Sequence, residues 1–351
     1  MNPSEHVRTV TVADGGEGTI EALRHPFQLK LDEYPVHNAL GTVKKTTYGY
    51  NPFTRITVIE VAQVCGLPEI PEKLRDPIHA TTYGVGQLIL AAIEKGATHL
   101  YIGLGGSATT DGGFSMLRAL GIRFFDENEE ELLDAGLLHY IHRIDEAAMH
   151  DSLEGCTFTI ICDVENPFFG ESGAAHVYGP QKGADDEMIQ LLDDGLRRMA
   201  MVILAYKHLD LQCMPGSGAA GGLGGAFAAF LNGKFESGAD LLLKANDVHE
   251  KDRLFSLMFS GEGRIDAQTL SGKLPMAIAR TGSAQNIPVI LLGGSLDIPA
   301  DELMGTGIVS AHSIAPGPMR LEDMIVPDIA FHALKEKAAH CYLFWKSLQK
   351  G

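Results

Sequence analysis

Basic charge is scarce in this sequence. Its 351 residues include 28 lysine and arginine residues against 45 aspartate and glutamate residues, giving a formal net charge of -17 at pH 7. A nucleic-acid partner requires a surface rich in lysine and arginine, so this balance argues against nucleic acid as a partner. A small anionic ligand is still compatible with the composition, because a local basic pocket can form in an acidic protein.

Cysteines are few, and long apolar runs are absent. The five cysteines are scattered without any CxxC pair, which supports neither a disulfide framework nor a zinc site, so we expect buried free thiols. No apolar run reaches the length of a membrane span, and the start "MNPSEHVRT" lacks the apolar segment of a signal peptide. We therefore expect a cytoplasmic protein without a membrane partner.

Short β-forming runs alternate with stretches of helical spacing, which predicts an α/β fold, and a chain of this length favours two domains. The run "VRTVTVAD" and three late runs, "LFSLMFSGEG", "IPVILLGGS" and "GIVSAHSIA", predict a small parallel sheet. The simplest topology is a discontinuous domain made of residues 1–24 plus 251–351. A mixed α/β domain, residues 25–250, is inserted into it.

The inserted domain contains two kinds of sequence pattern. The alternating runs "FQLKLDEYPV", "GTVKKTTYGY" and "RITVIEVA" predict an antiparallel meander. The segments "TTYGVGQLILAAIEKG" and "DDEMIQLLDDGLRRMAMVILAYKH" have helical spacing, while "THLYIGL" and "FTIICDV" predict strands.

Five glycine clusters lie where strands end or helices begin: 14–19, 103–113, 216–225, 260–273 and 291–295. Glycine lets backbone N–H groups approach a phosphate closely, and the carboxyl ends of parallel strands face the ligand crevice. Any one cluster is explained by a tight turn. Several together favour a crevice for an anionic ligand, with cluster 216–225 more typical of close helix packing.

Two common nucleotide motifs fit poorly. Gly103, Gly105 and Ala108 match a relaxed dinucleotide fingerprint with Asp126 at the ribose-binding distance, but Gly112 and Gly113 interrupt the helix that should face the pyrophosphate. The stretch "SGEGRIDAQTLSGK" resembles a P-loop but has alanine at 267 and leucine at 274, where that loop needs glycine and a hydroxyl residue. A nicotinamide-linked hydroxyacid dehydrogenase is therefore only an alternative.

Several charged residues accompany the glycines. Asp163 ends a buried strand, which favours a catalytic or metal role, and Asp14 and Glu17 have the same character. Lys182 is either a surface turn residue or a phosphate contact. Arg264 and Asp266 share one short loop, for which a surface ion pair is the simpler interpretation.

These segments together resemble the glycerate kinases of the bacterial type. The similarity is carried by "VADGGEGT", "GLGGSATTDGGFSMLRALG", "CDVENPFFG", "GAAHVYGPQKGA", "GSGAAGGLGGA" and "SGEGRIDAQTLSGKLP", in family order. The resemblance implies a flavodoxin-like domain from both chain ends with a mixed α/β domain inserted. It also implies ATP-dependent phosphorylation of D-glycerate with ATP and Mg²⁺ as cofactors, 2-phosphoglycerate being favoured over 3-phosphoglycerate. D-glycerate is the expected partner, and a homo-oligomer is compatible with it.

Individual roles are hypotheses drawn from residue type and position. We expect nucleotide phosphates at the backbone of Gly105, Gly106, Ser107, Ala108 and Thr109, with Lys182 nearby, and Mg²⁺ at Asp111 and Asp163. Substrate contacts are predicted at Asp14, Gly15, Gly16, Glu17, Gly261 and Glu262. Lys273 and Arg264 would neutralise the glycerate carboxylate or the transferred phosphoryl group, and Asp266, with Asp163 also catalytic, would be the general base.

One departure from the family concerns the start of the chain. Family members begin with an extra strand and helix carrying an Asp-Ser-Phe-Lys loop, ahead of the segment that matches "VADGGEGT". A sheet without that strand would expose unpaired backbone groups, which predicts an aggregation-prone or weakly active chain. A ligand sensor without turnover is therefore the alternative outside the enzyme class.

Overall fold

The structure, a computed structural model, describes residues 6–248, 255–270 and 274–349. The chain divides into two compact units, Met1–Ala245 and Asn246–Gly351. Both combine helices with β-sheets, so the α/β class is confirmed.

The first unit is built on a six-stranded mixed sheet of order β1-β2-β3-β4-β7-β8, and β5 and β6 form a separate hairpin. Strands β1 to β3 are antiparallel, which confirms the predicted meander, while β3, β4, β7 and β8 run parallel. The carboxyl ends of these four strands therefore meet at one edge of the sheet. The bounds are β1 Lys30–His37, β2 Val43–Asn51, β3 Ile56–Glu60, β4 His99–Gly103, β5 Arg123–Phe125, β6 Arg143–Asp145, β7 Thr157–Ile161 and β8 Lys234–Glu236.

The α-helices in the described part of the first unit are α1 Thr19–Arg24, α2 Val61–Cys65, α3 Tyr83–Glu94, α4 Phe114–Ala119, α5 Ala174–Tyr178, α6 Asp186–Lys207, α7 Leu223–Leu231 and α8 Gly238–Ala245. The two predicted amphipathic helices are confirmed as α3 and α6. The side chain of Asp185 accepts a hydrogen bond from the N–H of Met188, so it caps α6, whose first turn is acidic. Helix α4 begins only after Gly113, whose left-handed φ of 75° confirms the predicted interruption.

Short 3₁₀ turns complete this unit at Leu67–Glu69, Glu72–Leu74, Ala135–Tyr140, Asp151–Leu153, Pro180–Lys182 and Leu211–Cys213. Its main core lies between the sheet and helices α3, α4, α6 and α7. Phe114, Phe124 and Phe227 are fully buried there, beside Ile102 of β4 and Leu88 of α3. Each such side chain contributes roughly 1.5–3 kcal/mol on burial, so this core fixes the strand ends on which the site depends.

The second unit contains a parallel three-stranded sheet of order β11-β10-β9, with β9 Met258–Ile265, β10 Val289–Leu296 and β11 Ile308–Ser313. These are the three strands predicted near the carboxyl terminus. Its helices are α9 Leu274–Ala284, α10 Leu321–Met324 and α11 Pro327–Leu348, with 3₁₀ turns at Ala267–Leu270 and Ala300–Leu303.

The prediction of a fourth strand in that sheet, at "VRTVTVAD", is wrong, because residues 7–14 form no strand. Residues 6–24 also group with the first unit, not with the second. The reason lies in local contacts of this segment. The N–H of Ile20 donates to a carboxylate oxygen of Glu60 at 2.6 Å, and the carbonyl of Gly15 accepts from the N–H of Gly105 at 2.9 Å.

Among the described residues, no helix combines the length and the apolar character that crossing a bilayer requires.

Candidate active site

The first unit collects its glycine-rich loops where β3, β4, β7 and β8 end. The 14–18 loop, residues 14–18, lies directly across these strand ends. An added Cβ at Gly15 would stand 2.4 Å from the carbonyl oxygen of Ile161, and one at Gly238 would stand 2.5 Å from that of Ala13. Backbone packs on backbone here, so glycine is required for the packing itself.

Within the 14–18 loop, the predicted substrate residues separate into two classes. Asp14 and Glu17 are exposed, whereas Gly15 and Gly16 are buried. Asp14 Oδ1 accepts a hydrogen bond from the N–H of Gly16 at 3.1 Å, which tightens the turn. The two carboxylates are thus accessible to solvent, and the two glycines are buried under the loop.

Glu60 is a site residue that the sequence reasoning missed. It ends β3, is buried, and accepts the hydrogen bond from Ile20 that anchors the start of α1. Burial raises the pKa of its carboxyl, against the hydrogen bonds it accepts from backbone N–H groups. The signal was available, because "ITVIE" ends in an acid just as "FTIICD" does.

Asp163 follows β7 and reaches solvent at the same edge. Its Oδ1 accepts a hydrogen bond from the N–H of Gly238, at the start of α8, at 3.1 Å. Surrounding loops partly desolvate the carboxyl and raise its pKa, and the charges of Asp14 and Asp240 add to this effect. Asp163 is therefore an accessible carboxylate in a locally acidic setting.

Only part of the predicted phosphate-binding segment, Gly105 to Thr109, presents its backbone to solvent. The N–H of Gly105 donates to Gly15 O and that of Ala108 donates to Cys65 O, both at 2.9 Å. Ser107, Ala108 and Thr109 are buried, while Gly106 is exposed with a left-handed φ of 76°. The outward part of the 103–113 loop, residues 103–113, is thus centred on Gly106.

Asp111 occupies a structural position instead of an open metal site. It is fully buried, and its Oδ2 accepts hydrogen bonds from the hydroxyl of Thr82 at 2.7 Å, the N–H of Thr82 at 3.1 Å and that of Ser115 at 3.2 Å. Its Oδ1 accepts from the N–H of Gly113 at 3.0 Å. Because both oxygens are committed away from solvent, the geometry argues against Asp111 as a metal ligand. In residues 6–248, 255–270 and 274–349, no group of three or more His, Cys, Asp or Glu side chains is arranged to hold a metal ion.

Lys182 is not a surface turn residue. It is buried, and its Nζ donates to the carbonyl oxygen of Thr109 at 2.6 Å and to Ser107 Oγ at 3.4 Å. Burial lowers the pKa of its ammonium to about 8. Lys182 therefore lies behind the 103–113 loop, where it contacts the loop itself.

The cluster at 216–225 packs against the 103–113 loop, as its composition suggested. The N–H of Gly112 donates to Gly221 O at 2.9 Å, and an added Cβ at Gly221 would stand 2.0 Å from Thr109 O. The 216–225 cluster therefore packs against the buried side of the 103–113 loop and has a structural role.

The second unit holds the remaining predicted residues. Arg264 pairs with Asp297 at 2.6 Å and with Asp266 at 3.3 Å, which is the surface ion pair of the simpler interpretation. Glu262 accepts a hydrogen bond from the Thr269 hydroxyl, and Asp266 Oδ1 accepts from the N–H of Gln268 at 2.9 Å.

Gly261 is explained by its place in the sheet, since an added Cβ would stand 2.1 Å from the carbonyl oxygen of Leu292. Lys273 lies outside the described residues. Asp126, the acid of the dinucleotide alternative, accepts hydrogen bonds from the N–H groups of Asn128 and Glu130 at 2.8 and 2.9 Å, so it closes its own turn.

Comparisons with known proteins agree on one family. A family model described as "Glycerate kinase family" matches residues 1–346. The chain is 38% identical over 322 residues to a glycerate kinase of Halalkalibacterium halodurans, covering 92% of this chain and 85% of the relative. It is 39% identical over 313 residues to a glycerate 2-kinase of Escherichia coli, covering 89% and 81%. A crystal structure from Salmonella typhimurium LT2, of a protein assigned as glycerate kinase 2, superposes with a TM-score of 0.78 at 35% identity, covering 96% of this chain and 91% of that one.

Proposed function

The chain belongs to the glycerate kinase family, and from that premise we propose that the loop-lined edge of its first unit holds the nucleotide for phosphoryl transfer to glycerate. It is an enzyme, a phosphotransferase with an alcohol group as acceptor. The observation that carries the proposal is the convergence of the 14–18 loop, the exposed Gly106 and Asp163 at the carboxyl ends of parallel strands.

ATP is the proposed nucleotide, with its phosphates at Gly106 and the adjoining outward backbone of the 103–113 loop. Glycine at 106 leaves the approach free of a side chain, and the buried Lys182 adds positive charge behind the loop. D-glycerate is the proposed acceptor, with 2-phosphoglycerate as the product.

Asp163 fits a Mg²⁺ ion held together with phosphate groups and water. Mg²⁺ in nucleotide sites is bound through one or two carboxylates plus phosphates, so no cage of three protein ligands is required. Burial raises the pKa of Asp163 and repulsion from Asp14 and Asp240 adds to this, so a cation would favour the charged carboxylate. When bound, Mg²⁺ neutralises charge on the phosphate oxygens.

Asp14 and Glu17 are the proposed partners of glycerate hydroxyl groups, since they are the exposed acids of the 14–18 loop. In the second unit, Arg264 remains our proposal for charge neutralisation, because its guanidinium is 62% exposed although ion-paired. Asp266 is the proposed base. In the reaction, the glycerate hydroxyl loses its proton as its oxygen bonds to the γ-phosphorus of ATP and the bond to ADP breaks.

ADP release tests this function. With ATP, Mg²⁺ and D-glycerate present, we expect ADP to accumulate, and omission of glycerate or chelation of Mg²⁺ should stop it. Glycerate binding without ADP release would favour the sensor, whereas glycerate-dependent reduction of a nicotinamide would favour the dehydrogenase.

A further inference from the structure

Lys182 carries a charge into the interior of the first unit. The residue is only 3% exposed, and its Nζ is held by the carbonyl of Thr109 and the hydroxyl of Ser107. The ring of Tyr178 is also close, with its centroid 5.9 Å from Nζ. Each of the two hydrogen-bond acceptors belongs to the 103–113 loop.

This ammonium has no carboxylate in direct contact within the part of the chain that the structure describes. The neighbouring acid is Asp111, whose two oxygens are occupied by Thr82, Gly113 and Ser115. Removing an ammonium from water without a contacting counter-charge is costly, and an apolar side chain of similar volume would avoid that cost. A ligand anion on the outer side of the same loop would offset it.

The geometry assigns Lys182 a positioning role: we propose that its ammonium holds Ser107 and Thr109 from behind, so that Gly106 faces the nucleotide, and attracts the phosphates through the loop. This inference rests on the proposed function. In this proposal Lys182 does not contact the phosphates directly, in contrast to the phosphate contact considered from the sequence.

The role implies a dependence on pH. Burial lowers the pKa of Lys182 to about 8, opposed by electrostatic interactions with Cys65 and Asp111. The other groups facing it keep their state between about pH 7 and 9.5: burial raises the pKa of the Cys65 thiol to about 12 and raises that of the Tyr178 hydroxyl, while Lys44 contributes a charge near Cys65. Nucleotide affinity should therefore fall as Lys182 loses its proton.

The experiment is calorimetric titration of ATP with Mg²⁺ into the wild type and Lys182→Met from pH 7 to 9.5, with steady-state kinetics alongside. At pH 7 we expect Kd and KM for ATP to rise about tenfold in the variant, with kcat within about twofold. The ratio of the two Kd values should fall towards one at pH 9.5. Lys207→Met, which breaks a partly buried ion pair with Glu146 on another face, is the control and should leave Kd unchanged.

The outcomes separate two failures. A Kd ratio that stays constant across this pH range, or no change in Kd at all, overturns the positioning role while leaving the kinase function intact. A wild type that binds no ATP at pH 7 overturns both. If Lys182→Met does not fold, a wild-type affinity that is independent of pH between 7 and 9.5 overturns the inference.

Discussion

Single carboxylates at strand ends are used in two ways in this protein. Glu60 is buried and holds the start of α1 through the N–H of Ile20, whereas Asp163 caps α8 and still reaches solvent. Burial raises both pKa values, but only Asp163 is open to a ligand. The same residue type at equivalent places therefore serves structure in one case and, we propose, chemistry in the other.

Replacing Asp163 by asparagine should separate activity from stability. The amide oxygen can still accept from the N–H of Gly238, and the repulsion from Asp14 and Asp240 disappears, so thermal unfolding should be unchanged. We expect kcat to fall about 100-fold or more, because a charge at the proposed phosphoryl-transfer site is lost. Asp210→Asn removes the charge of another capping aspartate and should retain wild-type kcat. A wild-type kcat for Asp163→Asn would exclude the proposed role.

Glu60 leads to a prediction about pH and stability. Its folded pKa is raised, so its favourable contribution is present below the pKa of an exposed glutamate and is lost as pH rises through the raised value. Glu60→Gln keeps an acceptor for Ile20 and should be at least as stable as the wild type at pH 7, with the difference vanishing near about pH 4. Glu60→Ala should cost about 1–3 kcal/mol, since a buried N–H loses its acceptor. Chemical denaturation at both pH values measures this, and a Gln variant markedly less stable at pH 7 would contradict it.

At the scale of loops and secondary-structure elements, the glycines fall into two groups, those required for packing and one proposed to bind a ligand. Gly15, Gly221 and Gly238 allow backbones to meet, while Gly106 is exposed, although an added Cβ there would stand 3.1 Å from the Cβ of Ala62. Of these four glycines, Gly106 is the one whose substitution we expect to act on the proposed ligand.

Gly106→Ala tests that distinction. Its φ of 76° imposes strain of about 1–2 kcal/mol on any side chain. Gly41→Ala is the control for backbone strain, because Gly41 has a φ of 73° and nothing within 4 Å of an added Cβ, whereas an added Cβ at Gly106 would stand 3.1 Å from the Cβ of Ala62. Both variants should lose stability in thermal unfolding, Gly106→Ala somewhat more because its methyl group contacts Ala62, and only Gly106→Ala should raise KM for ATP, several-fold. Equal KM values in the two variants would return the 103–113 loop to a purely structural role.

Periodicity and turn chemistry predicted most of the elements. The alternation in the meander gave β1 to β3, and the helical spacing in "YGVGQLILAAIE" gave α3, because both patterns report a buried face. The run 7–14 alternates just as well but forms no strand, since alternation does not supply a neighbouring strand. Burial of Lys182 and of Glu60 depends on contacts far apart in sequence, which no local pattern contains.

At the scale of the whole molecule, each unit has its own buried core. Acidic residues outnumber basic ones, so a buried lysine next to the proposed phosphate-binding loop supports an anionic ligand there. The flavodoxin-like form of the second unit stays a prediction, as do the roles of Arg264, Asp266 and Lys273. Because formation of the phosphorylated product depends on all of these proposed roles, identifying that product tests them together.

Phosphorus NMR of the product of ATP and D-glycerate, without decoupling of protons, tests the central claim most directly. A phosphate on the 2-hydroxyl couples to one proton and gives a doublet, whereas one on the 3-hydroxyl couples to two and gives a triplet. We predict ADP together with a new phosphomonoester doublet, formed by the wild type and greatly reduced in Asp163→Asn. A triplet would contradict the 2-phosphoglycerate assignment, and ATP left intact in the presence of Mg²⁺ and D-glycerate would contradict the kinase function itself.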